Sequence, residues 1–509
     1  MFVFLALILL SSALIWNALK RHYTYWQRRG VPQVTPRYVV GNVERAAGGQ
    51  VQLRYFNQRL YEEYKQSRPF VGMYIFFTRA ALILDLDVIR DICISKFSNF
   101  QDRGVFANPR DDPLTGHLFR LEGAQWRAMR NKLTPVFSSG NMKFMFPTVV
   151  QVGSELVHAC RRAIEENLSE GNIEMKELCA RYTTDVIGTC AFGIECNSLR
   201  DPQAEFRRRG HAVFAEPRHT QLVQTFMLMN PDWARRMRLK FFPDHIIQFY
   251  VDVVRQTVEL RQREKIKRND FMDLLIALKA DDERLSLNSD GIDLSQGLTL
   301  LQMVSQAFVF FVAGFDTSST TMSLCLYELA LNETIQQKAR AEIERVLVAY
   351  NNQLTYEALN EMQYLEQTVD ETLRKYPVVP YLVRKAKEDY VVPKTNEVIE
   401  KGCLVVLPAH AIQHDAVLYP EPDKFNPDRF TPELSRKRHA AAYMPFGIGP
   451  RACIGLRFGK MQAKIGLVNL LRHFRFSKSP RTQVPLQFTE RIFQITPASG
   501  IHLRAEALK

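Results

Sequence analysis

The sequence predicts a mainly α-helical fold with small β-sheets, set behind an N-terminal transmembrane helix. Three observations predict it. The first 20 residues are almost wholly apolar; helix-like segments recur around 52–66, 122–133, 299–332, 335–350, 356–375 and 454–472; and strand-like segments occur only near 70–85, 380–407 and 484–504, too few for a doubly wound sheet. With 509 residues and 46% hydrophobic content the chain can bury a sizeable core. No Gly/Ser- or Pro-rich linker, low-complexity tract or repeat divides it after the first 45 residues. The expected organisation is an anchor over 1–20, a basic, proline-containing linker over 21–45 and one large domain over 46–509.

The run from Phe2 to Leu19 is interrupted only by Ser11, Ser12 and Asn17. As a helix it spans ~27 Å, about the hydrocarbon thickness of the endoplasmic reticulum bilayer. The rival is a cleaved signal peptide, whose apolar core is usually shorter and preceded by positive charge. Here no charged side chain precedes the run, while Lys20, Arg21, Arg28 and Arg29 follow it, so the positive-inside rule keeps the domain cytosolic. The expected location is therefore the endoplasmic reticulum membrane, with a single anchor. Gly30, Pro32, Pro36 and Gly41 then punctuate a stiff, non-helical connection. A second segment suited to a membrane surface lies at Phe226–Pro243, where Trp233, Met237, Phe241 and Phe242 alternate with Arg235, Arg236, Arg238 and Lys240. A helix pair with one buried face is the equally weighted alternative.

The net charge is +13, but no basic run interleaved with aromatics forms a nucleic-acid module, so nucleic acid is not expected as a partner. The eight cysteines show no C-x-x-C pair, which suits reduced thiols in the cytosol.

Within the long segment 299–332, Thr299 and Gln302 form a capping box, and Gln302, Ser305, Gln306 and Asp316 interrupt the apolar pattern too often for a second span. A buried core helix is expected. Ala313-Gly314 gives it a flat patch that a ligand could approach, and Asp316-Thr317 sets an acid beside a hydroxyl able to relay protons. Against that role stands the common habit of Thr to bond the carbonyl four residues back. Further on, Glu371 and Arg374 share a helical face, as do Trp126 and Arg130. His410 and His414 have the spacing of a metal pair, but Pro408 and the turn-rich sequence after it argue against a helix there, so no second metal site is read.

The most informative segment is Phe446-Gly447-Ile448-Gly449-Pro450-Arg451-Ala452-Cys453-Ile454-Gly455. Gly447 and Gly449 permit positive φ, letting backbone approach a large flat ligand and turn N–H groups toward the sulfur. Cys453 opens a helix-like run, and a thiol at a helix N-terminus has a lowered pKa. Phe446 can pack beside the sulfur, and Arg451 is placed for an anionic propionate of haem. The bland reading is an inert buried cysteine in a turn.

This segment resembles the cysteine-ligand loop of the haem-thiolate monooxygenases, the cytochrome P-450 family, with Phe446, Gly449, Arg451, Cys453 and Gly455 all in place. The resemblance extends to Trp126 and Arg130 in W-x-x-x-R, A-G-F-D-T-S from Ala313 to Ser318, E-x-x-R at Glu371 and Arg374, and F-N-P-D-R-F from Phe425 to Phe430. Leu373–Pro377 and Asp389–Pro393 look like insect microsomal members of family 6. The resemblance implies a thiolate-ligated haem b on Cys453, in the loop formed by Phe446, Gly447, Gly449 and Gly455, with Ala313 beside the ring. It also implies propionate contacts from Trp126, Arg130, Arg384, Arg451 and Arg103, a proton relay at Thr317 assisted by Asp316, and a bracing network of Glu371, Arg374 and Arg429. Phe106, Phe308, Phe311, Val378, Val379, Val383 and Ala498 fall in stretches that line family substrate pockets, although ordinary core packing would also account for several. No G-x-G-x-x-G loop precedes a helix, so NADPH is expected to act indirectly, through a separate NADPH-cytochrome reductase, with cytochrome b5 as an optional second donor. Arg127, Lys132, Arg457 and Lys460 are the candidate docking charges. The expected reaction inserts one oxygen atom from O2 into a hydrophobic molecule. Hormone, fatty-acid, terpenoid and insecticide substrates all stay open, and a haem-thiolate isomerase or dehydratase, or a haem sensor or carrier, are the alternatives.

Overall fold

The computed structural model describes residues 2–42, 53–166, 172–268, 270–279, 297–490 and 494–508. Helix α1 (Phe2–Tyr23) exposes its apolar side chains along most of its length, from Phe2 to Trp16. Its last residue, Tyr23, is buried, and a short helix, Tyr25–Arg28, follows. The stretch expected as a linker is packed rather than free over its described part. Trp26 is fully buried on Gly72, where an added Cβ would sit 2.2 Å from the indole. Its Nε1 donates to the Met73 carbonyl at 3.3 Å, and the Pro32 carbonyl accepts from Gly72 N at 2.8 Å. These contacts cover an edge strand that would otherwise offer unpaired backbone groups.

That strand is β1 (Phe70–Ile75), antiparallel to β2 (Thr78–Ile83) in a four-stranded sheet completed by β3 (Leu382–Lys385) and β4 (Leu404–Leu407), in the order β1-β2-β4-β3. The β2–β4 pair is parallel, which requires the long crossover through the helical part of the chain. A smaller sheet joins Ile173–Glu174, His502–Ala507 and Phe474–Lys478. Helix α2 (Leu53–Tyr64) packs on the short helix Ala409–Gln413, so the region around His410 is helical despite Pro408. Proline stands just before the helix, where its missing N–H costs nothing.

The helical part is built from α3 (Gly123–Leu133), α4 (Ser139–Glu166), α5 (Met175–Ile187), α6 (Leu300–Leu331), α7 (Gln363–Lys375) and α8 (Leu456–His473). Central α6 is buried along most of its length between α5, α7 and α8, and starts with both halves of the expected capping box. The segment 356–375 is two helices, Tyr356–Glu361 and α7, because Met362 leaves helical geometry at ψ 76. Helix α4 carries Pro147 in its interior, a residue that reads as a break; its packing on α5 and α8 holds it continuous.

Among the described residues two large apolar cores result, one among the helices and one between the four-stranded sheet and its covering elements. The loop before α8 lies between them. Phe446 and Ile454 pack on the helical core, whereas Met444 and Ile448 belong to the sheet core.

Candidate active site

Gly447 and Gly449 adopt φ +70° and +74°, and a Cβ at Gly449 would lie 2.0 Å from the Cys93 carbonyl, so only glycine fits there. The turn is closed by Cys453 N donating to the Phe446 carbonyl at 2.8 Å. Helix α8 begins at Leu456 with Gly455 as its cap, leaving the sulfur just outside the helix. The expected lowering of its pKa by the helix terminus is therefore corrected: burial raises the Cys453 thiol, and a Gly455 N–H together with Arg130 and Arg103 only partly offsets this. Cys453 is nevertheless the only one of the eight cysteines with an exposed side chain. A group both exposed and desolvated faces an internal slot, not bulk water.

On α6, where Gln462 of α8 donates to the Gly314 carbonyl at 2.9 Å, Ala313 is exposed in the middle of an otherwise buried helix and Thr317 is half-exposed one turn later. Gly314 serves a different purpose from its neighbour: an added Cβ would meet Ile187 of α5 at 2.5 Å, so it allows helix packing. Thr317 Oγ1 donates to the Ala313 carbonyl at 2.6 Å, the bond four residues back that competes with a relay role. Asp316 is buried and tied down by Lys176 Nζ at 2.8 Å and by Gln494 Nε2, while Lys176 also donates to Ser319 Oγ at 2.7 Å.

Four guanidiniums gather near the sulfur. Arg130 donates to the Ala452 carbonyl at 3.0 Å and Arg103 to that of Phe119 at 2.8 Å. Arg384 is buried with only its neighbour Val383 O as partner for Nη1, and its Nε has none among the described residues. Arg451, buried over the Trp126 ring at 4.1 Å, donates to the carbonyls of Gln101 (2.9 Å), Leu118 (3.3 Å) and Leu121 (2.7 Å), so in this structure it also holds backbone. Burial and Arg384 push Arg451 down to about 9 against the pull of Asp102 and Glu122. Burial and the same neighbours, Arg384, Arg451 and Arg130, press Arg103 down as well. Crowded, desolvated cations of this kind call for an anionic ligand.

The brace below is complete. Arg374 and Glu371 are fully buried and bidentate at 2.7 and 3.0 Å; Arg374 also donates to the Gln413 and Pro422 carbonyls, and Arg429 lies 3.5 Å from Glu371. Gln413 in turn accepts from Met444 N at 3.0 Å, which carries the network into the cysteine loop.

Of the expected pocket residues, Phe308 stacks edge-on with Tyr250 and Phe242 at 4.9 and 5.0 Å, and its ring lies 6.3 Å from that of His117. Val379 and Val383 are half-buried, Val378 is buried, and Ala498 is exposed. Phe311 is corrected to core: it is wholly buried among Phe192, Phe206, Tyr250 and Phe315. Phe106 packs in a small separate core with Met227 and Ala234, under the segment 226–243. His117, buried with no partner for Nδ1 among the described residues, is a polar neighbour of Phe308 that the sequence reading missed, because its loop has no periodicity to mark it. His414 Nδ1 faces the His410 carbonyl at 2.8 Å, which places that ring in a backbone contact. An open cleft of about 450 Å³ where α1 meets the sheet, lined by Tyr23, Gln27 and Tyr38 among others, brings no cysteine, histidine or charged group to its walls.

The family profile described as Cytochrome P450 matches residues 31–503. The chain belongs to the cytochrome P450 family. It is similar to probable cytochrome P450 6a14 of Drosophila melanogaster, at 53% identity over 504 residues covering 99% of both chains. Probable cytochrome P450 6a13 and cytochrome P450 6a2 of the same species are 49% and 46% identical over the full length of each chain. A P450 is a haem-thiolate monooxygenase, and the residues here fit that group: one accessible sulfur, two glycines shaping the loop beneath it, and buried Arg384 with an unpartnered Nε among the described residues, with Arg103 and Arg130 also near the sulfur, for the carboxylates. Cys453 could hold the iron of this P450, and Arg103, Arg130 and Arg384 its propionates.

Proposed function

We propose that this P450 is anchored in the endoplasmic reticulum by α1 and oxidises a hydrophobic small molecule in the cytosolic domain, drawing electrons from NADPH through a separate reductase. One atom of O2 enters a C–H bond of the substrate and the other leaves as water, consuming two electrons and two protons. Thiolate-ligated haem supplies the O–O bond cleavage when bound. Everything else falls to the chain. Cys453 supplies the thiolate, held in register by the Phe446 turn and the Glu371–Arg374 brace. Phe308 and the aromatic residues around it present an apolar wall to the substrate and exclude water. Thr317 Oγ1, released from the Ala313 carbonyl, hands protons into the slot, and the Lys176–Asp316 pair is the reservoir behind it.

The observation that carries this reading is an exposed Cys453 thiol at the start of α8, a helix that grips α6 beside exposed Ala313 through Gln462 Nε2 and the Gly314 carbonyl at 2.9 Å, with arginines crowded near the sulfur. The Asp316 network favours oxygen chemistry over a peroxide isomerase, which has no need of protons. Reduced holoprotein should show the red-shifted carbon monoxide band, Cys453→Ala should abolish it, and reductase plus NADPH should support product formation. A band without NADPH dependence would favour the isomerase or dehydratase, and no thiolate band would overturn the whole reading.

The xenobiotic, hormone, terpenoid and fatty-acid classes all suit the pocket wall. A screen for substrate-induced spin-state shifts, followed by product analysis, separates them. Cytochrome b5 is proposed as an optional second donor, tested by its effect on turnover with reductase held constant.

A further inference from the structure

We infer that Gln306 is a positioning residue for the reaction, which through Leu118 holds the central helix and the cysteine loop at a set spacing and aims the segment Gly116–Phe119 into the slot. The inference rests on the reading of that slot as the oxidation site.

Gln306 is wholly buried on α6, two turns before Ala313. Its amide is used at both ends: Oε1 accepts from Leu118 N at 2.9 Å, and Nε2 donates to the Gly116 carbonyl at 3.2 Å and to Ser305 Oγ at 2.9 Å. Ser305 Oγ lies 3.2 Å from the same carbonyl. From the opposite side, Arg451 of the cysteine loop donates to the Leu118 carbonyl at 3.3 Å and to that of Leu121 at 2.7 Å, and Arg103 donates to the Phe119 carbonyl. The two backbone groups of Leu118 are therefore divided between the walls of the slot, N–H to the helix and C=O to the loop that carries Cys453. A planar amide is the one uncharged side chain offering a donor and an acceptor at the separation needed to pair with both Gly116 O and Leu118 N. The residue between them, His117, is thereby held with its ring 6.3 Å from both Phe308 and Phe119. Losing the amide strands the buried Leu118 N–H, leaves the Gly116 carbonyl with Ser305 alone, and loosens the segment on which His117 and Phe119 sit. A second charge at this point is absent: burial, Arg120 and Arg103 push His117 far below the usual histidine range, so it stays neutral near pH 7.

The test uses full-length holoprotein with two iron-binding probes read by the Soret shift: imidazole, which needs only the iron, and 4-phenylimidazole, which also fills the distal space. For Gln306→Leu we expect the carbon monoxide band to persist, imidazole affinity to stay within about twofold, and 4-phenylimidazole affinity to fall ~10-fold, with amide exchange at Leu118 accelerated by a similar factor. Gln306→Glu supplies the sharper signature. Its buried carboxyl mimics the amide while protonated and repels the Gly116 carbonyl once ionised, so the ratio of its 4-phenylimidazole affinity to that of wild type, in which the ligand's own titration cancels, should be near one at low pH and fall as pH rises. Equal weakening of both probes would reduce Gln306 to a general structural role and overturn the inference, as would unchanged Leu118 exchange or an affinity ratio of the Glu variant to wild type that does not change with pH. Failure of the site reading is distinct: it would appear as a missing carbon monoxide band in the wild type.

Discussion

Arg374 donates to four oxygens with no exposed surface, and that count sets the consequence of removing it. Arg374→Leu strands the Glu371 carboxylate and should cost roughly 3–5 kcal/mol, seen as a sharp fall in the fraction of expressed protein that shows the carbon monoxide band. The E-x-x-R spacing was legible as a one-face pair. Its two carbonyl partners were not, since Gln413 and Pro422 belong to segments that only the fold brings close. Lys460 shows the same divide. It was expected on the docking surface, but its Nζ is held at 2.6 Å by both Glu366 and Asp370, and Tyr443 donates to Asp370 at 2.9 Å, so this lysine ties α8 to α7 and to the cysteine loop. Burial alone would raise Glu366, but Lys460 and Lys464 hold it down at about 2. A depressed carboxyl stabilises the fold fully above its ordinary 4.5 and loses that contribution as pH falls toward 2. Thermal stability should therefore decline on acidification through this window, and Glu366→Gln should flatten that decline.

At the scale of elements, the loop 106–121 and the segment 226–243 act as a clasp. Asp112, fully buried, accepts from Phe241 N and Phe242 N at 2.7 and 3.0 Å; Asn108 donates to the Leu239 carbonyl at 3.2 Å; Arg235 donates to that of Ala107 at 3.0 Å. Phe106, Met227 and Ala234 give the clasp its own small core. Asp112→Ala should accelerate both association and dissociation of 4-phenylimidazole in stopped flow, by ~10-fold each, with little change in affinity. None of this was legible, because the bonds are backbone contacts between irregular stretches. By contrast α6 was readable end to end: its capping box, length and broken apolar pattern are local properties. Helix α4 was not, because Pro147 looks like a terminus and only packing on α5 and α8 overrides it.

At the scale of the molecule, the charge of +13 has a candidate use on the cysteine side. Arg127 and Arg457 are exposed and Lys132 is half-exposed. Reversing these three charges should raise the reductase concentration needed for half-maximal turnover ~10-fold at low salt and flatten its salt dependence. Trp233 and Met237 are each 59% exposed on the segment 226–243, a pattern that suits contact with a lipid surface. The sequence by itself determined the class of fold, the apolar first helix, the positive-φ turn before Cys453 and the facing of Glu371 on Arg374, because periodicity, glycine conformation and near-neighbour spacing are properties of a few consecutive residues. Tertiary structure alone decided that Arg451 holds backbone carbonyls, that Asp316 answers to Lys176, that Phe311 is core and that Gln306 grips Leu118. Those outcomes depend on which distant groups are desolvated together, and a buried polar group takes whatever partner the packed chain places within reach.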